Sequence, residues 1–155
     1  MGFVLMRKNG SSSVKEVIRS LGGHDKMYPE HSKIPESITT LIAIARNPYD
    51  RLVSAWRYWG QHKDMLRKSP KRGFPSVEQP LEDFLVETVN TFQADLDQHF
   101  RPQDYLLPTV TTHLLRLENI DEDWRSLRRE FRILPDFPHV GKSTPRPGDN
   151  VSEEV

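Results

Sequence analysis

Two short stretches of the sequence place basic and hydroxyl side chains where an apolar run gives way to a helical pattern. The first, KNGSSS at residues 8–13, closely follows the apolar run GFVLM. The second begins at Arg46, directly after the apolar run LIAIA. Backbone N–H groups at a helix start, a glycine that allows close approach and a nearby cationic side chain together favour binding of phosphate or a related anion. These residues therefore indicate recognition or transfer of an anionic group.

Each stretch also has a structural interpretation. The serines of the first stretch could act as helix caps, and its lysine, Lys8, precedes the glycine, unlike the usual pattern G-x-x-x-x-G-K-[ST]. In the second stretch, Asn47, Pro48 and Asp50 form an ordinary helix start. That interpretation leaves Arg46 unexplained, because arginine offers no capping acceptor. An anion is its natural partner.

The elements that must position these residues are strands that alternate with helices. Apolar runs predict strands at residues 2–6, 39–45 and 112–117, with one further short strand within 24–38. Helical periodicity predicts helices within residues 14–21, 49–66, 81–92 and 123–131. We therefore expect an α/β sheet with right-handed crossovers, whose ligands bind beyond the carboxyl ends of the strands.

The length and composition restrict the kinds of protein that this chain can be. The chain has 155 residues, the length of one ordinary domain, and its 22 Lys and Arg residues balance 22 Asp and Glu residues, so any anion site is local. We expect neither a nucleic-acid partner nor a membrane span, since no apolar run approaches the ~20 residues that cross a bilayer. The absence of cysteine fits a reducing compartment. A cytoplasmic protein is the expectation, unless an N-terminal segment has been lost.

The order of the motifs resembles a known family. KNGSSS after one strand and RNPYDRLVS (residues 46–54) after another look like sulfotransferases that use 3′-phosphoadenosine 5′-phosphosulfate, and most like the carbohydrate (family 2 type) branch. Three later segments agree in order: HFRPQ (99–103) with the family's His-x-x-Pro-Gln, ENI (118–120) with Glu-Asn-Leu, and PHVGKS (138–143) with Pro-His-x-Asn-Lys-Ser.

The resemblance, which spans about residues 3–144, implies an architecture. It implies a P-loop NTPase-like three-layer α/β fold, with a small central parallel sheet flanked by helices. A single sulfotransferase-like domain is expected over residues 1–144. The tail at 145–155 is expected to be flexible, because proline, glycine and acidic residues dominate its composition.

The resemblance also implies roles for particular residues. Lys8 is expected to neutralise charge on the leaving oxygen during in-line sulfuryl transfer, and Arg46 to pair with the 3′-phosphate of the donor. No metal is expected, because a sulfuryl group carries less charge than a phosphoryl group. The residues expected to bind the donor are Lys8, Asn9, Gly10, Ser11, Ser12, Ser13, Arg46, Ser54, Lys142 and Ser143, although Gly141 replaces the asparagine of the family.

The acceptor is expected to be a hydroxyl of a sugar or glycan, and its activation needs a general base. The family often places this base between the first helix and the second strand, where His31 fits best and His24 and Glu30 are rivals. His99 and Arg101 are expected to line the acceptor site, with a structural role for His99 an equal alternative. A non-catalytic nucleotide-binding or adaptor protein of the same fold remains an alternative function, as does a small-molecule kinase.

Overall fold

The fold is known from a computed structural model that describes residues 1–23, 26–30, 32–68, 74–91 and 95–140. The described chain forms two units, one from residues 1–48 and 102–140 and the other from residues 49–101. In chain order the elements are β1 (Gly2–Leu5), α1 (Ser11–Ser20), β2 (Met27–Pro29), β3 (Leu41–Ala45), α2 (Pro48–Gln61), α3 (Lys63–Lys68), α4 (Leu81–Asn90), α5 (Gln103–Leu106), β4 (His113–Arg116), a 3-10 turn (Leu117–Asn119) and α6 (Ile120–Glu130).

The first unit is built on a four-stranded sheet in the order β2-β1-β3-β4. Every pairing is parallel: Phe3 of β1 lies beside Ile42 of β3, and Ala45 of β3 lies beside Arg116 of β4. The carboxyl ends of all four strands therefore meet at one edge of the sheet. Residues that directly follow β1 and β3 become neighbours at this carboxyl edge.

Alternate residues of the strands enter two separate apolar cores. On one face Phe3, Ile42 and Ile44 pack with helices α1 and α6, whose apolar residues recur at helical spacing. On the other face Val4 and Leu41 pack with Ala43 and with Leu106 of α5. The sheet is thus covered on both sides, as buried parallel sheets are.

The second unit contains α2, α3 and α4 around a core rich in aromatic side chains. Trp56, Trp59, Phe84 and Phe100 are all buried in it. Arg51 of α2 is also buried, and its guanidinium donates hydrogen bonds to the carbonyl oxygens of Gln98 at 3.0 Å and Arg101 at 2.8 Å. A buried arginine here fastens α2 to the segment that precedes α5.

The predicted α/β fold with its small central parallel sheet is confirmed, and the short strand expected within residues 24–38 is β2. The helix predicted over residues 49–66 is instead two helices that separate at His62. The Nδ1 of His62 lies 2.7 Å from the carbonyl oxygen of Tyr58, and the His62 N–H bonds to Trp59 instead. The side chain thus competes for the carbonyl that continues a helix.

Two expectations about the extent of the domain are not tested by this architecture. A single functional domain over residues 1–144 stays a prediction, and the tail at 145–155 lies outside the described residues. None of the helices in the described ranges is long and apolar enough to cross a membrane.

The core of the first unit predicts a large difference between two isoleucines. Ile18 is fully buried under the sheet, whereas Ile133 is 70% exposed. Ile18→Ala should lower the free energy of unfolding by about 2–5 kcal/mol, and Ile133→Ala by less than about 0.5 kcal/mol. Urea denaturation measures both changes, and equal losses in the two variants would contradict this packing.

Candidate functional site

The loop between β1 and α1 has a backbone that few residues adopt. Lys8 has φ 67° and Gly10 has φ 75°, both in the left-handed region. Position 10 favours glycine for its backbone conformation, and a Cβ atom there would also lie close to Cδ1 of Leu117, at 3.0 Å. A lysine held at positive φ is uncommon, and such backbone strain clusters at functional sites.

The start of α1 carries no side-chain cap. The cap position is Gly10, the serines are the first three residues of the helix, and the first turn contains no acidic residue. The hydroxyl of Ser13 instead accepts a hydrogen bond from the Val140 N–H at 3.2 Å. The serine-cap interpretation is therefore wrong. A helix start of this kind presents backbone N–H groups and the positive end of the helix dipole to an anion.

Arg46 and Lys8 meet at the carboxyl edge, because their strands are neighbours in the sheet. The Nη1 of Arg46 donates a hydrogen bond to the carbonyl oxygen of Lys8 at 3.2 Å. Burial and, to a smaller extent, the charge of Arg46 lower the pKa of Lys8 from 10.5 to about 8. Both causes disfavour the protonated amine, so an anion bound here would relieve the repulsion.

Gln103 and Asn9 hold the two parts of this site together. The side-chain amide of Gln103 bonds to both backbone groups of Arg46, and its oxygen also accepts a hydrogen bond from Nδ2 of Asn9. Asn9 is buried, and the same Nδ2 donates to the carbonyl oxygen of Ile44 at 2.8 Å. The Asn9 side chain thus anchors the loop to β3, and its predicted contact with a donor stays a prediction.

A family model described as the sulfotransferase family matches residues 3–146. The chain belongs to the sulfotransferase family. The predicted resemblance is therefore confirmed, and membership supports transfer of a sulfuryl group as the general activity. No curated protein is similar enough to the chain to count as a match.

Two carboxylates of this sulfotransferase also lie at the carboxyl edge, where each contacts a sequence neighbour of Lys8 or Arg46. Glu118, which follows β4, accepts a hydrogen bond from the Asn47 N–H at 2.6 Å and so fixes the residue that precedes α2. Glu30 follows β2, and its buried carboxylate lies 3.4 Å from Nε of Arg7. The sequence indicated Glu118 only as part of a motif, and Glu30 only as a rival base.

The predicted acceptor residues of the sulfotransferase belong to the second unit. His99 is buried and its Nδ1 contacts the carboxylate of Asp97, while its ring packs edge-on against Trp59 with centroids 5.1 Å apart. Arg101 donates from Nε to the carbonyl oxygen of Leu96 at 2.6 Å. These contacts account for both side chains structurally, and their contact with an acceptor stays a prediction.

The remaining predicted site residues lie either in the second unit or outside the described residues. Ser54 lies in α2 of the second unit, where it is buried, and its contact with the 3′-phosphate stays a prediction. The other predicted residues lie outside the described residues: His24, His31, Lys142 and Ser143. Within the described ranges, no three His, Asp or Glu side chains are grouped so that they could hold a metal ion.

The lowered pKa of Lys8 predicts a pH dependence in the neighbourhood of pH 8. An NMR titration of the Lys8 ¹³Cε shift, assigned from its loss in Lys8→Met, should give a midpoint near 8. Because the unfolded chain binds a proton that the folded chain lacks between pH 8 and 10.5, the Lys8 contribution to the unfolding free energy rises with pH across that window.

The same titration separates the two causes of the shift. Arg46→Ala should raise the pKa of Lys8 only in part, because burial is the larger cause. Arg132→Ala, which changes an exposed arginine of the same unit, is the matched control and should leave the midpoint unchanged. A midpoint near the ordinary lysine value of about 10.4 in the unchanged protein would contradict the placement of Lys8.

Proposed function

We propose that this chain transfers a sulfuryl group from 3′-phosphoadenosine 5′-phosphosulfate to a hydroxyl of a sugar or glycan acceptor. Membership of the sulfotransferase family supports the reaction class. The observation that carries the donor assignment is the meeting of Lys8 and Arg46 beside the uncapped start of α1. Two cationic side chains at the ends of adjacent strands match a nucleotide that is phosphorylated at two positions.

The residues of the loop fit the 5′ end of this donor. Gly10 supplies the left-handed backbone of the loop, and the first turn of α1 offers N–H groups without a competing carboxylate. Arg46 is proposed to bind the 3′-phosphate, which ordinary adenine nucleotides lack. The further residues proposed to bind the donor are Asn9, Ser11, Ser12, Ser13, Ser54, Lys142 and Ser143.

When bound, the donor supplies the sulfuryl group that the acceptor hydroxyl receives. Lys8 is mostly protonated at neutral pH, since its pKa is about 8, and it can neutralise charge that develops on the leaving oxygen. The loop holds the reacting group in line with the acceptor. Because a sulfuryl group carries less charge than a phosphoryl group, the proposal requires no metal.

His31 is proposed to take the proton of the acceptor hydroxyl. The carboxylate of Glu30, its rival and its neighbour in sequence, is buried and paired with Arg7, and this pairing favours a structural role for Glu30. A sugar or glycan as the acceptor follows from the resemblance to the carbohydrate branch, with His99 and Arg101 proposed to line the acceptor site. The proposed unit of function is residues 1–144, and the proposed location is the cytoplasm.

Donor recognition predicts that the protein prefers the nucleotide with a 3′-phosphate, and that this preference depends on Arg46. Calorimetric titration should show micromolar binding of 3′-phosphoadenosine 5′-phosphate and weaker binding of 5′-AMP. Loss of a charge-assisted contact costs about 1.5–3 kcal/mol, so Arg46→Ala should weaken binding of the bisphosphate about 10-fold to 100-fold. Arg132→Ala is the matched control and should leave both affinities unchanged.

Two results would contradict this proposal. One is equal affinity of the unchanged protein for the bisphosphate and for 5′-AMP. The other is binding of ATP with magnesium that is indifferent to Arg46→Ala, which would favour a small-molecule kinase.

The base assignment predicts a loss of turnover without a loss of donor affinity. His31→Ala should lower the rate of sulfuryl transfer to sugar acceptors about 10²-fold to 10⁴-fold, because a positioned base contributes that much. Release of 3′-phosphoadenosine 5′-phosphate measures the rate, and calorimetry measures the donor affinity. His24→Ala tests the rival histidine and should lower the rate much less than His31→Ala. A larger loss in Glu30→Gln would transfer the role to Glu30, and no turnover with any acceptor would favour an adaptor protein.

A further inference from the structure

The amide of Gln103 makes three hydrogen bonds that converge on the anion site. Its Oε1 accepts from the backbone N–H of Arg46 at 2.8 Å, and its Nε2 donates to the backbone carbonyl of Arg46 at 2.6 Å. The same Oε1 accepts from Nδ2 of Asn9 at 2.5 Å. One side chain from α5 therefore contacts the end of β3 and the loop after β1.

The backbone groups to which Gln103 is hydrogen-bonded lie just beyond the end of the sheet. The pairing of β3 with β4 ends at Ala45 beside Arg116, so Arg46 is the first residue past the ladder. Gln103 satisfies the N–H and the carbonyl of that residue, as a further strand would. The direction in which the Arg46 side chain leaves the sheet is fixed by this contact.

Asn9 extends the contact to the other half of the site. It stands between Lys8 and Gly10, whose positive φ angles shape the loop, and it is buried. Through Asn9 and Arg46, the position of one glutamine amide thus determines how far the loop lies from the guanidinium that follows β3.

We propose that Gln103 is a positioning residue that sets the spacing between the loop that joins β1 to α1 and Arg46, and so allows one nucleotide to be bound at both phosphorylated positions. This inference rests on the proposed function. In this role Gln103 acts through Asn9 and Arg46 and not on the reacting atoms themselves.

A similar pair of hydrogen bonds at the other end of β3 provides a comparison for the contacts of Gln103. At the opposite end of β3, Oγ1 of Thr112 accepts from the Leu41 N–H at 2.9 Å and donates to the Leu41 carbonyl at 3.1 Å. Thr112 and Gln103 therefore each bond to both backbone groups of a residue at one end of the strand. Gln103 also bonds to Asn9 of the loop, whereas the hydrogen bonds of Thr112 to β3 are made with Leu41 at the other end of the strand. A comparison of the two residues therefore separates support of the strand from positioning of the site.

The test compares Gln103→Leu with Thr112→Val in the full chain by calorimetry, using 3′-phosphoadenosine 5′-phosphate and 5′-AMP as the probes. Gln103→Leu should weaken binding of the bisphosphate about tenfold or more, because small misplacements of positioning groups are costly, and binding of 5′-AMP less than about threefold. Thr112→Val should leave both affinities within about twofold, even where thermal unfolding shows an equal loss of stability. In an Arg46→Ala background, Gln103→Leu should have little further effect on the bisphosphate, because the two changes act on one contact.

Gln103→Glu keeps the test decisive should the leucine variant fail to fold. Its carboxylate still accepts from Arg46 and Asn9 but cannot donate to the Arg46 carbonyl, so it too should lose more affinity for the bisphosphate than for 5′-AMP. Retention of the full 3′-phosphate preference in the Gln103 variants, or an equal loss in Thr112→Val, would overturn the positioning role alone. Absence of that preference in the unchanged protein would overturn the proposed function as well.

Discussion

Parallel pairing of β1 with β3 is the constraint on which the rest of the site depends. It brings the residues after the two strands to one edge, and there the guanidinium of Arg46 reaches the backbone of Lys8. Burial and like charge both oppose protonation of that lysine, as its lowered pKa indicates. The fold nevertheless keeps Lys8 and Arg46 together, and an anionic ligand bound beside them would offset the repulsion between the two charges.

The arrangement is maintained by contacts between residues that are far apart in the chain. Asn9 and Arg46 are both held by Gln103, and the Asn47 N–H is held by Glu118. Beneath them, apolar cores on both faces of the sheet fix the strands themselves. The protein's own side chains therefore hold the loop in place, and ordering a loop that is held in this way costs less entropy on binding.

The sequence predicted what depends on local pattern. Apolar runs and helical spacing located the strands and most helices, and Lys8 and Arg46 were conspicuous because Arg46 follows a strand directly and Lys8 follows one closely. The role of Gln103 was missed, since a hydrogen bond across 57 residues leaves no periodic signal. The break at His62 was missed because it depends on which donor takes the Tyr58 carbonyl. The family motifs located the HFRPQ segment but did not say what its glutamine holds.

Selectivity for a doubly phosphorylated nucleotide is a difference between affinities, and a difference requires fixed spacing. A flexible loop could adjust to a nucleotide with a single phosphate and bind it almost as well. A loop joined to β3 through Asn9, with Arg46 held by both of its backbone groups, cannot make that adjustment cheaply. In the proposed function, these amides would make the 3′-phosphate decisive for affinity, because a ligand would have to span a fixed distance to contact both cations.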